Sequence, residues 1–225
     1  MSTVSSKRPQ TKRRRGITVA VLDYGIGNLR SAQKALEHVG ARAKLTSNLA
    51  DINAADAVVL PGVGAFGACM DALEASGLDT AAVDAIDSLR PFLGICVGMQ
   101  LLYAGSDETP GRAGLGIFKS QIRLLEDSVK RPQMQWNRLK LNQGPHPMFD
   151  GIDDPWMYFV HSFAAEGGPE VIATCDYGGE VTAAVCQDNV WATQFHPEKS
   201  AADGLAVLRN FCAWAESGME SGLSS

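Results

Sequence analysis

Apolar residues fall into short runs separated by turn clusters, and the pattern changes character about halfway along the chain. Residues 17–22 (ITVAVL) form a nearly continuous apolar run, as in a strand buried on both faces. The cluster 23–28 (DYGIGN) is a turn. Residues 29–39 then carry helical spacing at Leu29, Ala32, Leu36 and Val39, and Gly40 stops the helix. Residues 41–46 and 57–60 read as the next two strands, the second closed by Pro61-Gly62. Helices are predicted over 66–75 and 81–89, a strand over 92–95 and a helix over 97–103. This alternation with short loops predicts an α/β fold with an open, mostly parallel or mixed sheet and flanking helices. Beyond Gly105 the texture is β-rich, with segments at 117–125, 133–141, 157–163, 171–177, 181–186 and 190–195 punctuated by Gly and Pro. This second half is expected to add antiparallel strands, and residues 203–214 close the fold as a helix.

Charge divides the chain into unequal parts. The chain has 225 residues and a formal net charge of −5. Lys7, Arg8, Lys12, Arg13, Arg14 and Arg15 put six cations and no acid into the first 16 residues, so the rest carries −11. Residues 1–16 therefore read as a disordered basic tail, 17–216 as one domain and 217–225 as a flexible Gly/Ser-rich end. An acidic body argues against nucleic-acid binding. No run approaches the ~18 apolar residues of a membrane span, and the tail lacks the apolar core of a secretory signal. It is Ser-containing, basic and acid-free like a transit peptide, but short and without amphipathic periodicity. Five scattered cysteines with no CxxC pair argue against a disulfide framework or a zinc cage, and leave reduced thiols in the cytoplasm as the expectation.

Three segments carry candidate chemistry. Cys96 lies in Gly94-Ile-Cys-Val-Gly-Met-Gln100, where a buried strand meets a helix. That setting is the logic of a nucleophile elbow, and the positive end of the helix dipole favours a thiolate. A buried core cysteine has the same local context. The second segment is Phe195-His-Pro-Glu198. Side chains two apart on an extended segment share a side, so Glu198 is expected to orient His196, and His196 to serve Cys96 as base. The third is Leu60-Pro-Gly-Val-Gly-Ala-Phe-Gly67. Its Gly-x-Gly-x-x-Gly spacing mimics a dinucleotide fingerprint, but it follows the third strand rather than the first and lacks the acid that should end a second strand. Beside a cysteine elbow, such a loop brings a second backbone N–H to an oxyanion.

Together these segments resemble the class I, triad-type glutamine amidotransferases over nearly the whole folded chain. Gly94, Cys96, Gly98 and Gln100 match one motif of that family, and His196, Pro197 and Glu198 match the other. Residues 23–29, 60–66, 134–137 and 158–162 are most similar to the glutaminase subunits of imidazole glycerol phosphate synthase. Gln135 departs from the usual Gly, and Lys119-Ser-Gln121 from an expected Pro-Gly. The resemblance implies a flavodoxin-like core and a catalytic triad of Cys96, His196 and Glu198. It implies backbone oxyanion donors at Val63 and Val97, and glutamine contacts from Gly62, Gly64, Gln100, His161, Ser162 and Phe163. It implies no cofactor or metal, and a cyclase subunit as partner and receiver of ammonia. Glutaminases of other amidotransferases, a stand-alone Cys-His hydrolase and a non-catalytic relative are the competing readings.

Overall fold

The computed structural model describes residues 16–222, so the basic tail lies outside the described residues apart from Gly16. A nine-stranded sheet runs through the molecule. Its first part is parallel and is ordered β2 (Arg42–Thr46), β1 (Thr18–Leu22), β3 (Ala57–Gly62), β4 (Phe92–Cys96) and β12 (Val190–Thr193). That 2-1-3-4-5 arrangement is the flavodoxin-like order, whose ligand crevice lies at the carboxyl ends of the strands. β3, β4 and β12 are buried along their whole length, in keeping with helices on both faces. The sheet continues antiparallel through β11 (Glu180–Gln187), β10 (Val171–Asp176), β7 (Gln133–Leu141) and β8 (Trp156–His161). The antiparallel strands all come from the β-rich second half, which is mixed, because its last strand, β12, joins the parallel part. A separate three-stranded sheet joins β5 (Tyr103–Ser106), β6 (Phe118–Leu124) and β9 (Phe163–Ala165).

The helices are α1 (Leu29–His38), α2 (Leu49–Asn53), α3 (Phe66–Ala75), α4 (Leu78–Asp87), α5 (Val97–Gln100) and α6 (Ala201–Gly222). The sequence pattern misses α2. It is five residues long with only Ile52 buried, and its signal is the Asn48 cap, whose side chain accepts from Ala50 N–H. α4 starts three residues before the expected 81, because left-handed Gly77 both ends α3 and opens α4.

Two helix ends differ more. The helix expected over 97–103 stops at Gln100. Leu101 and Leu102 carbonyls instead accept from Leu115 and Phe118 N–H at 2.7 and 3.0 Å, and Tyr103 enters β5. Tertiary hydrogen bonds thus take the carbonyls a longer helix would have used. At the other terminus α6 runs eight residues past the expected 214, into the segment read as a flexible end, as far as Gly222. Its indole Trp214 stacks on Trp191 of β12 with centroids 4.5 Å apart and planes within 10°, which fixes the helix to the sheet.

Candidate active site

The carboxyl ends of β3, β4 and β12 bring the three candidate segments together, as the parallel order dictates. Cys96 ends β4 with φ 55° and ψ −113°, a left-handed conformation that few residues with a side chain adopt. Backbone-on-backbone packing holds it there. A Cβ on Gly98 would lie 1.8 Å from the Leu60 carbonyl oxygen, and one on Gly62 would lie 2.7 Å from Gly98 N. Each glycine is needed because β3 and the first turn of α5 touch without side chains between them. This is the nucleophile-elbow geometry expected from the sequence. With α5 only one turn long, however, little of the expected helix dipole remains.

His196 follows β12 in extended backbone, at φ −98° and ψ 96°. The expectation that Glu198 shares its side through a continued extended segment is incorrect, because Pro197–Lys199 is a turn of 3-10 helix. The turn still delivers the contact: His196 Nδ1 donates to Glu198 Oε1 at 2.8 Å, with both side chains almost fully buried. A carboxylate only accepts, so this bond fixes the proton on Nδ1 and leaves Nε2 free. Nε2 is buried and has no hydrogen-bond partner. Burial by itself pushes the imidazole pKa down. The neighbouring Cys96 side chain and the bond to Glu198 outweigh it and lift it to about 9.

Both residues line a cavity of about 410 Å³, with Val63, Gly64, Val97, Gln100, His161, Ser162 and Phe163 also in its wall. All the residues read from the sequence as site residues therefore border it except Glu198, which lies behind His196, and Gly62, which sits beneath Cys96 as its partner in β3. Gln100 is 3% exposed, and its amide nitrogen is already engaged, donating to Phe163 O at 2.9 Å and Gln194 Oε1 at 3.0 Å. Gln194 in turn donates to Cys96 Sγ at 3.8 Å. His161 donates from Nδ1 to Phe163 O at 2.9 Å, and its Nε2 is buried without a partner. Burial holds its pKa down at about 4 against the raising effect of that carbonyl, so it is neutral near pH 7.

Sequence reasoning missed Gln194, Asn28, Glu108, Pro132 and Lys199. Gln194 was legible as a polar residue inside an apolar strand run. Glu108 approaches from a distant loop, where its carboxylate accepts from Phe66 N–H at 2.7 Å and caps α3. Two buried groups brace the glycine loop: Tyr24 Oη donates to Pro61 O at 2.7 Å, and Cys69 Sγ to Val63 O at 3.3 Å. The departures lie in regular strand. Gln135 opposes Phe159 within β7–β8 and its amide donates to Asn137 Oδ1, while Lys119 in β6 donates to Gly116 O at 2.6 Å. Among the described residues no group of three His, Cys, Asp or Glu is placed to hold a metal ion. No described helix is long and apolar enough to cross a membrane.

A cysteine elbow facing a Glu-oriented histidine, on a flavodoxin-like sheet, agrees with the family match. Residues 20–214 match "Glutamine amidotransferase class-I", and the chain belongs to that family. A solved structure described as "Crystal structure of glutamine amidotransferase" has the same fold, with TM-score 0.70, 20% identity, and coverage of 88% of this chain and 98% of that one. Among curated relatives, the chain is 46% identical over 201 residues to "Imidazole glycerol phosphate synthase subunit HisH" of Acinetobacter baylyi, covering 87% of this chain and 98% of the relative. It is 47% identical over 194 residues to the subunit of that name from Methanothermobacter thermautotrophicus, covering 86% and 96%. Within the class it is thus a glutaminase subunit of the imidazole glycerol phosphate synthase type.

Proposed function

We propose that Cys96, His196 and Glu198 are the triad that releases ammonia from glutamine. His196 carries the proton taken from the Cys96 thiol while sulfur attacks the carboxamide carbon, then gives it to the departing nitrogen, so ammonia leaves and a glutamyl thioester remains. Water, deprotonated by His196, attacks the thioester and frees glutamate and the thiol. Glu198 holds the imidazole tautomer throughout. The Val97 and Val63 N–H groups are the oxyanion donors, and loss of such a donor typically costs ~10²–10³ in rate. Gly64, Gln100, His161, Ser162 and Phe163 shape the glutamine site, with Gly62 supporting the loop from below. The observation that carries this reading is the buried, unpartnered His196 Nε2 in the same cavity wall as Cys96, with Nδ1 committed to Glu198.

The ammonia passes to a cyclase subunit, in a heterodimer, and is used there to make imidazole glycerol phosphate and the aminoimidazole carboxamide ribotide of histidine biosynthesis. The outer face of the β7–β8 hairpin suits that partner. Met134, Trp136 and Trp156 are 61, 45 and 46% exposed there, and Pro132 and Val160 of the same hairpin reach the cavity rim. Buried or half-buried free cysteines fit a reducing cytoplasm. Replacing Cys96 with alanine is expected to abolish glutamine-dependent synthesis by the complex while ammonium salts still sustain it. Glutamine hydrolysis by Cys96→Ala at the parent rate contradicts the assignment.

A further inference from the structure

The segment that carries His196 is seated on the free edge of β8 by a side chain outside the triad. His196 N–H donates to Tyr158 O at 3.0 Å. The N–H of the same Tyr158 donates to Ser200 Oγ at 3.0 Å, and Ser200 Oγ donates to the carbonyl of His196 itself at 2.6 Å. Ser200 is 1% exposed, so no water competes for these bonds. Its hydroxyl has one proton and uses it on His196 O, while a lone pair takes the β8 amide, which closes a ring through Tyr158, Ser200 and His196. The chain next to it is under strain. Ala201 has φ 48°, and a Cβ on Gly204 would lie 2.0 Å from Pro197 O, so α6 starts hard against the 3-10 turn that carries Glu198. Such a turn keeps its shape only if its surroundings over-determine it.

We infer that Ser200 is a positioning residue for this reaction: its hydroxyl clamps the His196 main chain to β8 and so holds the imidazole between Glu198 and Cys96. The inference rests on the triad reading above. With the main-chain bond from His196 N–H to Tyr158 O, it ties His196 to the strand whose outer face carries Trp156 and Tyr158, so displacement of β8 reaches the base through both bonds.

A second anchor supplies the control. Asp203 Oδ2 accepts from Trp156 N–H at 3.0 Å on the same β8 edge, yet bonds to no part of His196. The test uses the full chain with its synthase partner, assayed for glutamate release across pH. Ser200→Ala is expected to lower kcat about tenfold with KM within about twofold, since small misplacement of a catalytic group is costly. As the imidazole slips from Glu198, the pH-rate limb belonging to His196 is expected to move to lower pH. Ser200→Thr, which keeps the hydroxyl, restores the limb. Ser200→Cys, matched in shape but a weak donor, replaces the alanine variant should that one not fold. Asp203→Ala is expected to lower the melting temperature while leaving kcat within about twofold and the limb in place. A Ser200→Ala enzyme with parental kcat and an unmoved limb overturns the inference, as does an Asp203→Ala enzyme that shifts the limb equally. A parent complex that releases no glutamate overturns the triad reading instead.

Discussion

Cys96 and His196 face one cavity but are held by opposite means, and each means belongs to its half of the sheet. In the parallel half, main chain packs on main chain. Gly62, Gly94 and Gly98 bring β3, β4 and α5 so close that no side chain fits between, and Cys96 is pushed into a left-handed conformation. At the border with the antiparallel half, side chains do the positioning. Glu198 fixes the imidazole, Ser200 fixes its backbone, and Gln100 and Gln194 connect Phe163 to the Cys96 sulfur. The placement of Cys96 is thus mainly a property of backbone shape, whereas that of His196 is a sum of hydrogen bonds and tunable.

The largest expected effect tests the first side. Gly98→Ala sets a methyl 1.8 Å from the Leu60 carbonyl oxygen, so β3 and α5 must part. Overpacking of this kind typically costs ~1–3 kcal/mol and here displaces the elbow as well. Thermal unfolding should show a lowered midpoint and the assay a near-complete loss of glutaminase activity. Wild-type activity would mean that the glycine contact is incidental. The other side should yield more gradually. Glu198→Gln leaves the fold intact, costs about a hundredfold in kcat, and removes a group that raises the His196 pKa, so the corresponding pH-rate limb should fall below about 9.

Two smaller effects sharpen the contrast. The folded pKa of His161, about 4, is below its unfolded value near 6.5. Its stabilising contribution is complete above 6.5 and is lost as pH falls through that value toward 4. Urea midpoints of the parent should therefore drop more steeply across this window than those of His161→Phe, and parallel slopes would contradict the assignment. For His196 the sign is reversed: its raised pKa stabilises the fold fully below 6.5 and ceases to as pH rises through about 9. The smallest effect is expected from deleting residues 1–16, which carry the basic charge and none of the site residues. Glutaminase activity should be unchanged, and a large loss would implicate the tail in the chemistry.

Legibility followed the same division. Strands β1, β3 and β4 were readable because burial on both faces makes them nearly continuous apolar runs, and Cys96 stood out because a glycine-flanked cysteine joins such a run to a helix. The helix after it was overextended, since the carbonyls of Leu101 and Leu102 are captured by a loop 14–16 residues on, which no local pattern records. The His196–Glu198 pairing was anticipated from two-residue spacing, yet a 3-10 turn produces it, so the residues were right and the geometry was not. Glu108, Gln194 and Ser200 act across 42, 98 and 42 positions in the chain, and their roles exist only after folding.

Glutamine is proposed to be opened on Cys96 Sγ. Acid-quenching the complex during turnover, digesting it and mapping glutamyl adducts by mass spectrometry tests this directly. A glutamyl thioester is expected on the peptide containing Cys96, accumulating further in Glu198→Gln because deacylation also needs an oriented His196. An adduct on Cys69, Cys175, Cys186 or Cys212, or steady hydrolysis with no adduct on Cys96 in either enzyme, would contradict it.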